Sequence, residues 1–260
     1  MRKTSLRRTS GSQIISTKIR SRRAQVAYGS QLRKVAKAVG DIISGTYDGS
    51  SSSVDTIKNT LSRYADLITP WAQRAAQRMA ETVALSEKKQ WMQLAQHTSG
   101  ELRLLMNNTA VGHAADSIVN DQVKLIKSLP LEAANRVDTI HARAVEAMLN
   151  GERTGQFASE IARSGEVAKS RANMIARTEI GRSQTALTQA RALNLGSEGY
   201  IWRTAADGDV RHSHALMEGK FVRWDNPPTL DGMTGHAGTL PNCRCYCEVV
   251  LPGLTLQGLQ

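Results

Sequence analysis

From Ala24 onward, apolar residues recur every three or four positions. Tyr28, Leu32, Val35, Val39, Ile42 and Ile43 share one face of a helix. Gly45 and the run Asp48-Gly49-Ser50-Ser51-Ser52-Ser53 interrupt the pattern, and Ser53 is read as the cap of a second helix carrying Val54, Ile57, Leu61, Tyr64 and Leu67. Thr69-Pro70 reads as a cap followed by proline at the first helical position. It predicts a third helix to about Gln96 through Trp71, Ala75, Met79, Val83 and Leu85. A fourth helix is expected over about Ala114 to Ser128, stopped by Pro130. A fifth follows over Leu131 to Leu149, ended by Asn150-Gly151. Gln156 to Arg163 reads as a short helix closed by Gly165. Glu166 to Leu195 reads as a long one, with Ala176, Ile180, Ser183, Leu187 and Ala190 along one side. Small residues on that stripe call for a close neighbour, and Gly181 inside it calls for close packing, since glycine costs about 1 kcal/mol against alanine in a helix.

After Gly196 the period changes from helical to alternating. Tyr200 to Thr204, Lys220 to Trp224 and Cys245 to Leu251 read as strands, separated by Gly208, Pro227, Pro228, Gly232, Gly235 and Gly238. The predicted fold class is α+β, a mainly helical N-terminal body with a small C-terminal α+β domain containing a short sheet. The expected divisions are a basic disordered arm over 1–23, the helical body over 24–165, the mixed domain over 166–252 and a frayed tail over 253–260. Trp202 and Trp224 are read as the core of the small sheet, and Trp71 and Trp91 as anchors of the helices.

Composition fits this picture. Hydrophobic residues make up 40% of the chain but aromatics only 4%, a balance that suits helices packed through Ala, Leu, Ile, Val and Met. No apolar run approaches the ~20 residues of a membrane span, and the N-terminus lacks a signal-type apolar stretch, so no membrane association and a cytosolic origin are expected. The net charge of +11 is concentrated at one end. Residues 1–40 hold eleven of the 34 Lys and Arg and no acid, so the remaining 23 bases match the 23 Asp and Glu. Arg2, Lys3, Arg7, Arg8, Lys18, Arg20, Arg22 and Arg23 are the candidate DNA contacts, through phosphate rather than base stacking, because the first aromatic is Tyr28. The alternative for this arm is a solvated tail.

The distinctive chemistry lies in the last 60 residues. All three cysteines, Cys243, Cys245 and Cys247, fall within five positions, and His212, His214 and His236 precede them. Thiolates and imidazoles bind soft or borderline metals, so His214, His236, Cys243, Cys245 and Cys247 are the candidate zinc ligands. Against zinc, the spacing is Cys-x-Cys rather than the usual Cys-x2-Cys, and a packed cluster of reduced thiols closing the domain is the favoured reading. A disulfide framework does not suit three cysteines in a reducing compartment. His214 is read as a tie within the small domain, with a metal ligand or a general base oriented by Asp207 or Asp209 as alternatives. Arg177 and Glu179, two apart on a helix, point to different faces. Glu179 is expected to pair with Arg182 on the surface; the alternative has Arg177 reach into the small domain and hold its loops.

The order of these pieces is specific. Met174-Ile175-Ala176-Arg177-Thr178-Glu179 on a helix is followed by Trp202-Arg203-Thr204 on a strand, then by Asp207-Gly208-Asp209-Val210-Arg211, His214 and Gly219, and last by Pro241-Asn242-Cys243-Arg244-Cys245. Over about residues 166–251 this order resembles the phage head morphogenesis family, the minor head proteins typified by the F protein of phage Mu; Cys247 departs from the family pattern. The resemblance implies structural roles for Arg177, Thr178, Glu179, Trp202, Asp207, Asp209, Arg211, His214, Gly219, Cys243, Arg244 and Cys245, and no catalytic residue or cofactor. It favours the bridging role for Arg177. It implies a virion component in the capsid interior or near the portal, assembled in the host cytoplasm, with the portal protein and major capsid protein as partners. The role would be in procapsid assembly, DNA packaging or DNA delivery, with packaged DNA meeting the arm. The alternatives are a metal-dependent nucleic-acid hydrolase built on Asp209, His214, His236 and the cysteines, and a non-catalytic DNA-binding module.

Overall fold

A computed structural model describes residues 8–9, 12–16, 22–95 and 112–252. Seven helices occur among them: α1 (Arg22–Thr46), α2 (Ser51–Leu67), α3 (Thr69–Ala95), α4 (Gly112–Leu149), α5 (Gly155–Ala162), α6 (Ser164–Asn194) and the single turn α7 (His212–Ala215). The strands are β1 (Arg8–Thr9), β2 (Ser12–Ser16), β3 (Gly199–Arg203), β4 (Phe221–Arg223), β5 (Thr229–Leu230), β6 (Met233–Thr234) and β7 (Tyr246–Leu251). The fold is α+β, with helices dominating and most of the described strands gathered near the C-terminus. No described helix is long and apolar enough to cross a membrane.

The chain forms two compact units that interleave along the sequence, unlike the consecutive segments expected from composition. One comprises 25–78 and 119–177, the other 1–24, 79–118 and 178–260. The first is wholly helical. Its core is the predicted stripe of α1 (Tyr28, Leu32, Val35, Val39, Ile43) together with Val54, Ile57 and Leu61 of α2 and Ile126, Leu129, Val137 and Ile140 of α4. The cap of α2 is Ser50, whose hydroxyl accepts from the Ser53 amide, so the cap lies three residues before the expected one.

One expected break is absent and another falls at Arg163, two residues before the expected glycine. Pro130 does not stop a helix; α4 runs through it. An internal proline costs about 3 kcal/mol, and this cost is met because the residues on both sides of it, Ile126, Leu129, Ala133, Ala134 and Val137, are buried on one face. Gly165 does not close α5 but sits in the first turn of α6. A Cβ there would lie 2.8 Å from the Gly40 Cα, so the glycine permits α1 and α6 to touch backbone to backbone.

In the second unit an antiparallel sheet has the order β1-β2-β7-β3-β4. Of the arm expected to be disordered over 1–23, two pieces are therefore strands. β2 pairs with β7 in the register Ile14 with Val250 and Ile15 with Val249. The adjacent pair Ile14-Ile15 within a basic segment is too short to read as a strand alone, and the ladder to β7 supplies the missing drive. The rest of the arm up to residue 21, with Arg2, Lys3, Arg7, Lys18 and Arg20, lies outside the described residues, as does the tail 253–260. Arg22 and Arg23 are exposed at the start of α1.

One face of the sheet carries Tyr200 and Trp202 from β3 and Cys247, Val249 and Leu251 from β7, all buried, as a two-residue period requires. They join Trp224, Ala237, Leu240, Cys243, Cys245, Ala192, Leu195 and Trp91 in one cluster. Trp91 thus belongs to the core of the mixed unit rather than to the helical one, because the last turns of α3 continue past residue 78 into it. Trp71 is half-buried. Beside this core Arg191 forms a buried ion pair with Glu87. Burial lifts the Glu87 carboxyl to about 7 against the opposing pull of Arg191.

Candidate functional site

The stretch of α6 from Thr178 to Gln189 holds the loop 236–242 through a row of side chains spaced by helical turns. Thr178 accepts from the Asn242 amide at 3.0 Å. Arg182 donates to the Thr239 carbonyl at 2.7 Å and pairs with the buried Glu179 at 2.9 Å. Thr185 donates to the Ala237 carbonyl at 2.8 Å, and Gln189 to that of Trp224 at 3.4 Å. Gly181 stands in the middle of this row. A Cβ there would lie 2.5 Å from the Gly238 carbonyl oxygen, so the close neighbour called for by the sequence is a loop backbone rather than another helix. Arg177 is exposed, and the role expected for it is filled by Thr178 and Arg182. One turn of helix explains this: 178, 182, 185 and 189 share a face that 177 does not.

A second set of ties closes the loop between β3 and β4 onto the segment before β7. Arg244 donates to both Asp207 (2.7 Å) and Asp209 (3.0 Å). Arg211 donates to the Pro241 carbonyl at 2.7 Å. Glu218 receives the amide and hydroxyl of Thr204 and the guanidinium of Arg203, which also bonds Glu248. These bonds hold the Glu218 carboxyl low despite its partial burial. Gly219 turns the chain at φ +77° and donates to the Trp202 carbonyl, a conformation that favours glycine.

At the centre of these ties stands His214 in α7, 2% exposed. Its Nδ1 lies 3.4 Å from the Cys243 Sγ and 3.6 Å from the Cys245 Sγ. Its Nε2 is buried without a hydrogen-bond partner, and its ring stands perpendicular to Trp202 with 5.6 Å between centroids. The Cys243 sulfur receives the Cys245 amide at 3.4 Å. Its thiol is brought down to about 5, first by hydrogen bonding from Cys245, with burial opposing and the Gly238 amide and His214 assisting. A cavity of about 90 Å³ adjoins the group, lined by Asp209, Arg211, His214, Cys243, Arg244 and Cys245 among others.

Of the five expected ligands, three converge: His214, Cys243 and Cys245 place one donor atom each within 4.8 Å of one another. His236 and Cys247 do not join them. His236 packs edge-on to Tyr200 and Trp224, with Nδ1 3.3 Å from the Tyr200 hydroxyl, and burial lowers its pKa. Cys247 is fully buried in β7, its sulfur 3.8 Å from the Ala237 carbonyl, and burial keeps it a thiol. All three cysteines face the same side of the chain, as the alternation predicted. Cys243 and Cys245 lie before β7, where the chain is not extended, whereas Cys247 lies within it, roughly 7 Å further along the strand and beyond reach of the same ion. His212 is exposed.

Residues 138–248 match the family described as Phage Mu protein F like protein. The chain is 31% identical over 147 residues to an uncharacterized protein of Haemophilus influenzae, covering 56% of this chain and 32% of that one. It is 29% identical over 123 residues to the NAD(+)--arginine ADP-ribosyltransferase EFV of Enterococcus faecalis, covering 43% of this chain and 25% of that one. The chain thus spans a third or less of the length of these relatives. No solved structure matches. The match to the phage Mu protein F like family thus falls on residues 138–248, which contain both sets of ties and the histidine–cysteine group.

Proposed function

We propose that this protein is a minor component of a tailed-phage head that works beside the portal protein, in procapsid assembly, DNA packaging or DNA delivery. The observation that carries this reading is the use made of the family's motif residues. Thr178, Glu179, Asp207, Asp209, Arg211, Gly219 and Arg244 are spent on bonds inside the domain, and Trp202 on its core. The cavity beside them, about 90 Å³, is well below the ~300–1,000 Å³ of small-molecule pockets. Such a domain is built to keep a shape, which suits a docking piece of an assembly. The likeness to the Enterococcus relative covers a quarter of that protein, and the ADP-ribosyl transfer in its name is no part of this reading.

The partners are the portal protein and the major capsid protein, with packaged DNA met by the basic residues before Arg23. Co-expression with the portal protein of the same phage tests the reading. Retention of the chain on immobilised portal through a high-salt wash supports it, and elution of the chain alone at every salt counts against it. The DNA contact is tested by replacing Arg2, Lys3, Arg7 and Lys18 with glutamine, which leaves the β2 ladder in place. A flatter salt dependence of DNA affinity is expected, and an unchanged slope would remove DNA from the list of partners.

A further inference from the structure

The unusual feature of the histidine–cysteine group is that one nitrogen faces two sulfurs. Nδ1 has a single lone pair or a single proton, so a hydrogen bond through nitrogen satisfies one contact and not both. A cation among the three atoms satisfies all of them. With Zn–S near ~2.3 Å and Zn–N near ~2.0–2.1 Å, a tetrahedral ion sets its nitrogen and sulfur ligands about 3.6 Å apart. The observed separations are 3.4 and 3.6 Å.

Charge and burial point the same way. His214, Cys243 and Cys245 are 2%, 4% and 3% exposed. An imidazolium here would bury a charge, with Nε2 already lacking a partner. Two thiolates and one divalent ion sum to zero, so the metal-bound group is neutral in the core. The Cys245 amide directed at the Cys243 sulfur favours a thiolate there. Two sulfurs and one imidazole select a soft or borderline ion, and a tetrahedral shell suits zinc.

The geometry points to a zinc site formed by His214 Nδ1 and the Cys243 and Cys245 thiolates, with its fourth position open toward the cavity between Asp209, Arg211 and Arg244. Water takes that position. The ion joins α7 to the segment before β7 and so clamps the β3–β4 loop to the sheet. The Arg244 pairs and the Arg211–Pro241 contact cross the same junction. The site is independent of any contact with portal or DNA.

The test uses the full chain, purified without a metal-affinity step or chelator. Elemental analysis is expected to give about one zinc per chain. Replacement by cobalt(II) is expected to give the thiolate-to-cobalt absorption and strong visible bands of a tetrahedral sulfur-bound ion. Cys245→Ser and His214→Gln lose the metal, whereas Cys247→Ser and His236→Gln retain it. Wild-type protein that takes up neither zinc nor cobalt overturns the proposal without recourse to any variant. Loss of metal in Cys247→Ser equal to that in Cys245→Ser overturns the assignment of ligands.

Discussion

The mixed unit holds two histidine–cysteine neighbourhoods made from the same residue types, and they differ in kind. Around His214 a nitrogen meets two sulfurs, and a thiol is drawn down to about 5 by hydrogen bonds. Around His236 the imidazole lies against Tyr200 and Trp224, and the nearby Cys247 thiol is driven up by burial. What separates them is the company of each sulfur. Cys243 and Cys245 precede β7, where the backbone has left the ladder and an amide is free to turn toward a sulfur. Cys247 lies within β7, where the amides on either side are engaged in pairing with β3. The first neighbourhood is arranged for charge and the second for packing.

The largest change that separates them is Trp224→Ala. Trp224 stacks on Tyr200 at 4.6 Å, and its indole donates to Ser197. Its removal is expected to cost about 3–5 kcal/mol in urea unfolding. Gly181→Ala comes next. Its methyl displaces Gly238, which lies between the two neighbourhoods, and a cost of about 1–3 kcal/mol is expected. A wild-type unfolding midpoint would show that the loop yields freely.

Two smaller substitutions part the neighbourhoods cleanly. Thr178→Val removes the bond to Asn242, beside Cys243, and Thr185→Val removes the bond to Ala237, beside His236. Each is expected to cost about 1 kcal/mol. Hydrogen exchange should quicken at 241–245 in the first and at 236–238 in the second; the same pattern in both would erase the distinction.

The smallest effect is on pH dependence. The folded pKa of His236 lies below its usual 6.5, so between the two values the unfolded chain binds more protons and stability falls as pH drops. Glu87, lifted from 4.5 to about 7, acts oppositely: the folded chain binds more protons in that range, and stability falls as pH rises toward 7. Subtracting a His236→Leu profile from the wild-type profile cancels the Glu87 part. The difference should decline below about pH 6.5, and a flat difference would mean that His236 titrates as it does in water.

The helical unit was readable because its information is periodic. Leu32, Val35 and Val39 in α1, and Ile57 and Leu61 in α2, repeat at the helix period and are buried as that period requires. Its misreadings at Pro130, where both flanks are buried, and at Gly165, where a neighbouring backbone packs against the helix start, came from local rules overruled by packing. In the mixed unit the strands were legible from alternation, and the Arg-Thr-Glu helix from its likeness to the phage family. Its polar ties were not. Thr185 and Gln189 carry no local signal, since a threonine or glutamine on a helix looks the same whether it faces water or a loop 35 to 52 residues away. Glycine at 181 gave the sole hint of that loop.

By itself the sequence determined the α+β character, the core faces, the crowding of histidine and cysteine, and the likeness of its C-terminal part to the phage family, all of which rest on short-range patterns of residue type. Only the tertiary structure decided that the basic N-terminal segment lends β2 to the sheet, that Trp91 belongs to the mixed core, and that Thr178 rather than Arg177 holds the closing loop. It also decided which three of five candidate ligands meet. Each of these depends on distances between residues far apart in the chain. A few ångströms along a strand, invisible to a residue pattern, separate a sulfur that reaches His214 from one that does not.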